Sequence, residues 1–283
     1  MKSLRAASGN IRPSKNLLRG FTLIELLVVI SIIGLLSSIV LVATQGSREK
    51  ARIAKNLEFS ARLRHALGVE AVGMWSFDET SGSTAYDASG YGNNGFINGA
   101  VTATGTLGNA LSFSGSSQYV NCGNGAELNI VGDITIEFWF KANSWSANEE
   151  LLNNGLYQIF HRGDWAGDKL YFLFKTSNDV SSDSSWIGHE GVHSLMDFQT
   201  NTWYHIVGVK NGNLMAFYVN GDKKRERNIT GALINNSSFG NLLIGRFSGS
   251  IDEPRIYSKA LSSSEIIQHY AEDLQKYEKL VIQ

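Results

Sequence analysis

Cysteine is all but absent from the 283-residue chain: Cys122 stands alone, so no intramolecular disulfide can form. Core packing must hold the fold, helped at most by a bound metal. Proline is scarce at 2 residues, whereas glycine reaches 29 and aromatics 11%. That balance suits a β-rich globular domain with many turns. Neither sign of charge is in excess: 25 Lys and Arg against 26 Asp and Glu leave a net charge of −1. No bulk field points to nucleic acid as a partner. Residues 1–20 lack acid altogether and carry Lys2, Arg5, Arg12, Lys15 and Arg19. They read as a positive cytoplasmic leader that stays out of fold reasoning.

After Gly20 comes the one long apolar run, from Phe21 to Ala43. As a helix it is about 34 Å long, enough to cross a hydrocarbon core of about 30 Å. Glu25 interrupts it. A carboxylate is expensive in lipid, so Glu25 is a candidate functional residue whose partner is a positive charge supplied by assembly. Gly34, Ser37 and Ser38 are small enough to let helices approach closely. From Ser47 to Leu67 charged residues alternate with Ile53, Ala54, Leu57 and Ala61 at helical spacing, which predicts an amphipathic continuation of the same helix. Gly68 to Gly73 forms the boundary.

The segment Gly20-Phe21-Thr22-Leu23-Ile24-Glu25, with the basic leader before it and the apolar run after it, resembles the processing site of type IV prepilins and pseudopilins. The resemblance covers residues 1–70. It implies cleavage between Gly20 and Phe21 by a prepilin peptidase, N-methylation of the new Phe21 amine, and pairing of Glu25 with the terminal amine of a neighbouring subunit. Its implied partners are other pilin-like subunits and an inner-membrane assembly platform. Its implied location is a single pass in the bacterial inner membrane before assembly, with the head outside the cytoplasm. The missing disulfide departs from the many pilins that close their C-terminal region with one.

Beyond Gly73 the period becomes two. Met74 to Phe77, Ala110 to Phe113, Gln118 to Val120 and Ile134 to Phe140 alternate like half-buried strands, as do Leu156 to Phe160, Leu170 to Phe174, Trp203 to Val209 and Leu214 to Val219. Asn211-Gly212 and Asn220-Gly221 predict two hairpins, because Asn-Gly accepts positive φ at both turn positions. Many strands without intervening helices argue for a sandwich. Ile251 to Tyr257 reads as a last strand in which Pro254 marks an edge or a bulge. If Ile256 faces the core, simple alternation puts Asp252 on the core side. Ser262 and Glu265 then form a capping-box pattern, flanked by Leu261 and Ile266 as a hydrophobic staple, and open a short C-terminal helix.

A second resemblance covers residues 71–272. Trp75-Ser76-Phe77-Asp78-Glu79, Asp87 to Gly95, Ala110-Leu111-Ser112-Phe113, Ile136-Glu137-Phe138-Trp139-Phe140, Tyr218-Val219-Asn220-Gly221 and Ile251-Asp252-Glu253-Pro254-Arg255-Ile256-Tyr257 are similar, in order, to laminin-G-like, concanavalin A-like jelly rolls. The expected fold is therefore mainly β, an antiparallel jelly-roll sandwich preceded by one long N-terminal helix and followed by a short C-terminal one. The expected segments are leader 1–20, membrane helix 21–43, amphipathic helix extension and linker 44–70, jelly roll 71–272 and the C-terminal helix end and tail 273–283. The resemblance implies a calcium ion held by Asp87, Asn93, Asn94 and Asp252. Read from the residues alone, Asp87, Ser89 and the Asn-Gly run are equally turn formers that bond their own backbone.

Chemistry is thin. Some glucanases of this fold align several carboxylates along one strand, and no such row occurs here. Glu149-Glu150 reads as loop, His189 and His193 lie in a Gly- and Ser-rich stretch, and Cys122 reads as a small buried residue. No catalytic residue is assigned. Trp145, Trp165 and Trp186 lie in polar surroundings and are candidates for stacking on a ligand. The expectation is a non-enzymatic pilin-like or pseudopilin-like surface subunit displaying a lectin-like head for glycan or surface binding. The alternatives are a structural minor pilin or spacer without ligand, and a tethered glycoside-active enzyme.

Overall fold

The computed structural model describes residues 23–24, 26–33, 71–146, 148–164, 167–176, 189–230 and 240–281. The chain forms two compact units, Met1–Lys50 and Ala51–Gln283. In the first, residues 23–24 and 26–33 are helical (α1), and Leu23, Ile24 and Leu26 are 83%, 72% and 59% exposed. Among the described residues no helix is long and apolar enough to cross a membrane. Gly20, Phe21, Glu25, Gly34 and the amphipathic stretch lie outside the described residues.

The second unit contains β1 (Ala71–Met74), β2 (Thr84–Ala85), β3 (Gly95–Asn98), β4 (Val101–Thr104), β5 (Asn109–Ser114), β6 (Tyr119–Asn121), β7 (Ile134–Ala142) and β8 (Glu149–Asn153). It continues with β9 (Tyr157–Asp164), β10 (Gly167–Lys175), β11 (His189–His193), β12 (Tyr204–Asn211), β13 (Leu214–Val219), β14 (Asp222–Asn228), β15 (Leu243–Gly245), β16 (Ser248–Tyr257) and α2 (Ser263–Val281). Two antiparallel sheets result. Sheet 1 runs β14-β13-β12-β7-β16-β5-β4, with β1 also on β16, and sheet 2 runs β11-β10-β9-β8-β15-β6-β3-β2.

Period two explains the core. Ile97, Val120, Ile244, Leu152, Ile159, Phe172 and Val192 are register partners across sheet 2, and all of them join the core. Ile136, Phe138 and Phe140 of β7 meet them from sheet 1, with Ile206 and Phe217 beside. The sheets approach so closely that a Cβ on Gly208 would stand 2.7 Å from the Phe172 ring.

The turns follow local chemistry, with one shift of position. Asn220-Gly221 joins β13 to β14 with φ of 51° and 79°, both positive as a type I′ connection requires. In the β12–β13 hairpin Asn211 pairs with Leu214, so the connecting residues are Gly212 and Asn213, and Gly212 alone has positive φ. Glycine at the first position favours the type II′ pattern.

Among the segments read as loop or left unassigned, β8, β11 and β14 are strands. Glu149 and Glu150 open β8, and His189 and His193 belong to β11. Four residues along a strand span about 13 Å, so these histidines cannot share a metal as a helical pair could. The highly charged β14 forms an edge, where charge discourages strand addition.

Alternation also fails at β16. The register slips between Asp252 and Arg255: Ile251 faces Phe140, Asp252 faces Trp139, and Arg255 faces Glu137. Pro254 marks this bulge, where Glu253 has φ 52°. Asp252 is thereby paired on the outer face with Trp139, not on the core side with Ile256.

α2 begins as its cap predicts. Ser262 Oγ accepts the Glu265 amide at 3.3 Å, and Glu265 Oε2 accepts the Ser262 amide at 2.7 Å. Leu261 and Ile266 are buried beside Val207, Val209, Tyr218 and Tyr257, the outer face of sheet 1. α2 runs unbroken through residues 272 and 273.

Gly208→Ala is expected to destabilise the head by about 1–3 kcal/mol through overpacking against Phe172. Urea denaturation measures it, and an unchanged midpoint would show that the sheets can separate slightly without cost.

Candidate functional site

Because α2 lies on sheet 1, the outward residues of β7 are as buried as the inward ones: Thr135 and Glu137 are 0% exposed and Trp139 3%. Each must find partners inside. Thr135 accepts the Leu261 amide at 2.9 Å and donates to the Lys259 carbonyl at 2.8 Å. Trp139 Nε1 donates to Asp273 at 3.1 Å. Glu137 accepts from Tyr257 at 2.8 Å, from Arg255 Nη1 at 3.2 Å and from His269 Nδ1 at 3.1 Å. Arg255 also meets Asp273 at 3.4 Å and Glu253 at 3.0 Å, and Lys276 reaches Asp273 at 3.4 Å. His205 stands 3.8 Å from Glu137, with its ring near Trp139 and Tyr270. This cluster gathers acids, bases and imidazoles but lies beneath a helix. Its chemistry is that of a latch.

Burial by itself would raise the Glu137 carboxyl. His269, then Arg255 and His205, hold it far below the usual carboxylate range instead. Burial disfavours a charged His269, yet Glu137 overcomes this and raises its pKa. For His205 burial wins over Glu137 and Asp273, and its pKa is lowered.

The residues expected to hold calcium are divided between two hydrogen-bond networks. Asp87, Asn93 and Asn94 form one knot. Asp87 Oδ1 accepts the Met74 and Ser89 amides at 3.0 and 2.8 Å, and Oδ2 accepts Ser89 Oγ and the Asn93 amide at 2.7 and 2.9 Å. Asn94 Oδ1 accepts the Asp87 amide at 2.9 Å, and Asn93 Nδ2 donates to the Val72 carbonyl at 2.9 Å. A cation there would have to displace four donors from one carboxylate. These residues fit the turn-forming role and do not fit a calcium shell.

Asp252 belongs to a different network. Its Oδ2 accepts the Thr106 and Leu107 amides at 2.7 and 2.8 Å, and its Oδ1 meets no donor among the described residues. The turn over residues 105–108 wraps it closely: a Cβ on Gly105 would lie 2.6 Å from Asp252 Oδ2, and one on Gly108 would lie 2.4 Å from Asp78 Oδ1. Burial, then the Glu253 charge, raises the Asp252 carboxyl well above its usual range, against the two backbone donors, and Asp78 adds to the rise. One open, buried carboxylate oxygen is a fitting cation ligand. Among the described residues no group of three or more His, Cys, Asp or Glu could hold a metal.

Trp145 is half-buried and packed: its ring stacks on His161 at 4.1 Å and its Nε1 donates to the Phe198 carbonyl at 3.2 Å. Trp165 and Trp186 lie outside the described residues. Cys122 is buried, and burial with the Asp87 charge pushes its thiol up, away from reactivity.

A feature missed in the sequence lies on the outer face of sheet 2. Thr84, Phe96, Asn121, Leu243 and Asn153 are successive register partners, hence one outward row. Tyr119 stands two residues along β6. Together with Asn154 and Asn241, residues Tyr119, Asn121, Asn153 and Leu243 line an open trough of about 430 Å³. Its floor is fixed. Asn154 donates to the Leu128 carbonyl at 3.0 Å and accepts the Leu156 and Tyr157 amides at 3.0 Å. Asn121 and Asn153 each accept the amide two residues on, at 2.9 and 2.7 Å. The signal was present as Tyr-Val-Asn in β6, where polar residues flank the buried Val120.

A model described as the Concanavalin A-like lectin/glucanases superfamily matches residues 113–267, and a model of the prokaryotic N-terminal methylation motif matches residues 17–41. Among solved structures, the chain is similar to domain 4 of AbnA, a GH43 extracellular arabinanase from Geobacillus stearothermophilus, in complex with arabinotriose. There the TM-score is 0.54 and the identity 18%, over 71% of this chain and 98% of that one. It is also similar to the binding domain of Paraclostridial Mosquitocidal Protein 1, with TM-score 0.56 and identity 16%, over 71% of this chain and 52% of that one. Trypanosoma rangeli sialidase in complex with sialic acid aligns with TM-score 0.53 and identity 14%, over 71% of this chain and 32% of that one. The chain thus spans about half the length of the second and about a third of the third. At these identities the likeness is one of fold. No curated protein matches the sequence.

The latch carries a pH signature. His269 stabilises the fold fully below the ordinary histidine value of about 6.5 and loses that contribution as pH rises through its raised folded value. His205 contributes above about 6.5 and loses it as pH falls. Urea midpoints across pH 5–9 should therefore fall on both sides. His269→Gln should flatten the alkaline limb and His205→Gln the acid limb. An alkaline limb that survives His269→Gln would assign it to another group.

Proposed function

The chain belongs to the concanavalin A-like lectin/glucanase superfamily and carries a prokaryotic N-terminal methylation motif, and we propose that it is a pilin-like or pseudopilin-like surface subunit displaying a lectin-like head. The observation that carries this reading is the order of the two matches on one chain: the motif over residues 17–41, then the lectin-like domain over residues 113–267. In this reading a prepilin peptidase cuts between Gly20 and Phe21, and the new amine is methylated. The apolar helix holds the subunit in the inner membrane until it joins other pilin-like subunits on an assembly platform. Glu25 then neutralises a neighbour's terminal amine, since neither charge is stable alone in an apolar bundle. The exposed apolar side chains of α1 suit such packing.

The head binds glycan or another surface and is not an enzyme. Supporting this, its densest titratable cluster is closed beneath α2, and Cys122 is buried with a raised thiol. We further propose calcium at Asp252, with Asp78 across the 105–108 turn as a second carboxylate, in place of the Asp87 knot. Calcium would supply charge there to the open Asp252 oxygen and tie the turn to β16.

Two measurements test this. Mass spectrometry of sheared surface material should find N-methyl-Phe21 as the mature N-terminus, and Glu25→Val should lower the sheared yield by about tenfold or more while leaving cleavage intact. An unprocessed Met1 would end the pilin reading. Calcium should raise the melting temperature of the full chain in detergent by about 2–5 °C over a chelator control. Asp252→Asn should abolish that response, and a wild-type chain indifferent to calcium would remove the ion.

A further inference from the structure

We propose that the trough on the outer face of sheet 2 is a binding site for an uncharged oligosaccharide, with Tyr119, Asn121 and Asn241 as its recognising groups. This rests on the glycan-binding reading of the head and adds the place and the ligand class.

The two outer faces of the sandwich differ in kind. That of sheet 1 is covered by α2 and buries Val207, Val209, Tyr218 and Tyr257. On sheet 2 the row from Thr84 to Asn153 is exposed or half-exposed, and Phe96 within it is 59% exposed. Tyr86, just beyond β2, is 44% exposed. A strand face meant only for water carries charge, yet this one carries aromatics and amides. Such a surface matches sugar, which offers an apolar ring face and many hydroxyls but no charge.

The lining carries no charged side chain. The neighbouring charges are matched: Arg246 Nη1 pairs with Glu150, and Glu150 also takes the Asn153 amide at 3.1 Å. An anionic ligand would find no cation in the trough, and a cationic one no anion.

The polar groups are of two sorts. Asn154 and the side-chain oxygens of Asn121 and Asn153 are held by the backbone, as described above. By contrast the Tyr119 hydroxyl, Asn121 Nδ2 and the exposed Asn241 amide make no hydrogen bond to the described residues. A rigid floor with open donors and acceptors above it lowers the ordering cost of binding. About 430 Å³ accommodates one or two sugar rings, and Phe96 continues the face toward Thr84.

The experiment uses the full chain in detergent on an array of trioses. Cellotriose, maltotriose, arabinotriose and chitotriose serve as neutral probes, and sialyllactose and a trigalacturonide as acidic ones; calorimetry follows on the best binder. A neutral probe should bind, and Tyr119→Ala and Asn241→Ala should each weaken it at least tenfold. Ile267→Ala, on the exposed face of α2, should leave it unchanged. Melting temperatures of the Asn241→Ala chain should match wild type, since that amide makes no bond to the described residues. Neutral binding untouched by both trough variants would overturn this site and leave the glycan reading standing. Binding confined to the acidic probes would overturn the ligand class. Retention of no glycan at all by the wild-type chain would overturn the glycan reading itself, and this inference with it.

Discussion

A carboxylate with no path to water dictates much of this molecule. Glu137 sits on the outward face of β7, where an isolated sandwich would leave it solvated, and α2 covers it completely. An unpaired charge in that position would cost several kcal/mol. Three elements therefore turn their polar groups toward it: β16 brings Arg255 and Tyr257, β12 brings His205, and α2 brings His269. Asp273 then balances Arg255 and anchors Trp139. The apolar contacts around Leu261 and Ile266 supply the drive to cover the sheet, and the ionic cluster sets which way the helix lies.

The same cover explains why binding is assigned to the other side. A sandwich has two outer faces, and here one is spent on holding the C-terminal helix. The face left open is that of sheet 2, with its amide-lined trough and exposed Phe96. Fold similarity to lectin-like and glycosidase-associated domains says nothing by itself about which face acts. That inference comes from burial.

Legibility in the sequence tracked the range of the interactions. Period-two strands, the Asn220-Gly221 turn and the Ser262–Glu265 cap were readable because each is decided within a few residues. Asp252 was assigned to the core side because alternation was carried through Pro254, where a bulge takes up an extra residue. Asp87 has two readings, and three backbone amides with the Ser89 hydroxyl bonded to its carboxylate favour the turn former. The latch was invisible as a unit: residues 137, 205, 255, 269 and 273 meet only through sheet pairing and helix docking. β8 went unread because two glutamates disguised a strand in which Glu149 is buried. The trough went unread because an asparagine facing outward looks the same whether it faces water or a ligand.

The order in which the latch is written along the chain has a consequence for its birth. Glu137 is made well before His269 and Asp273, whose helix follows every described strand of the head. Until they emerge, Glu137 lacks its His269 partner and the apolar outer face of sheet 1 is uncovered. The outer face of sheet 1 is therefore covered only after every described strand has been made. A chain cut short before His269 would keep every described strand and still lack the cover over Glu137. Its sheet face around Val207, Val209, Tyr218 and Tyr257 would stay open to solvent.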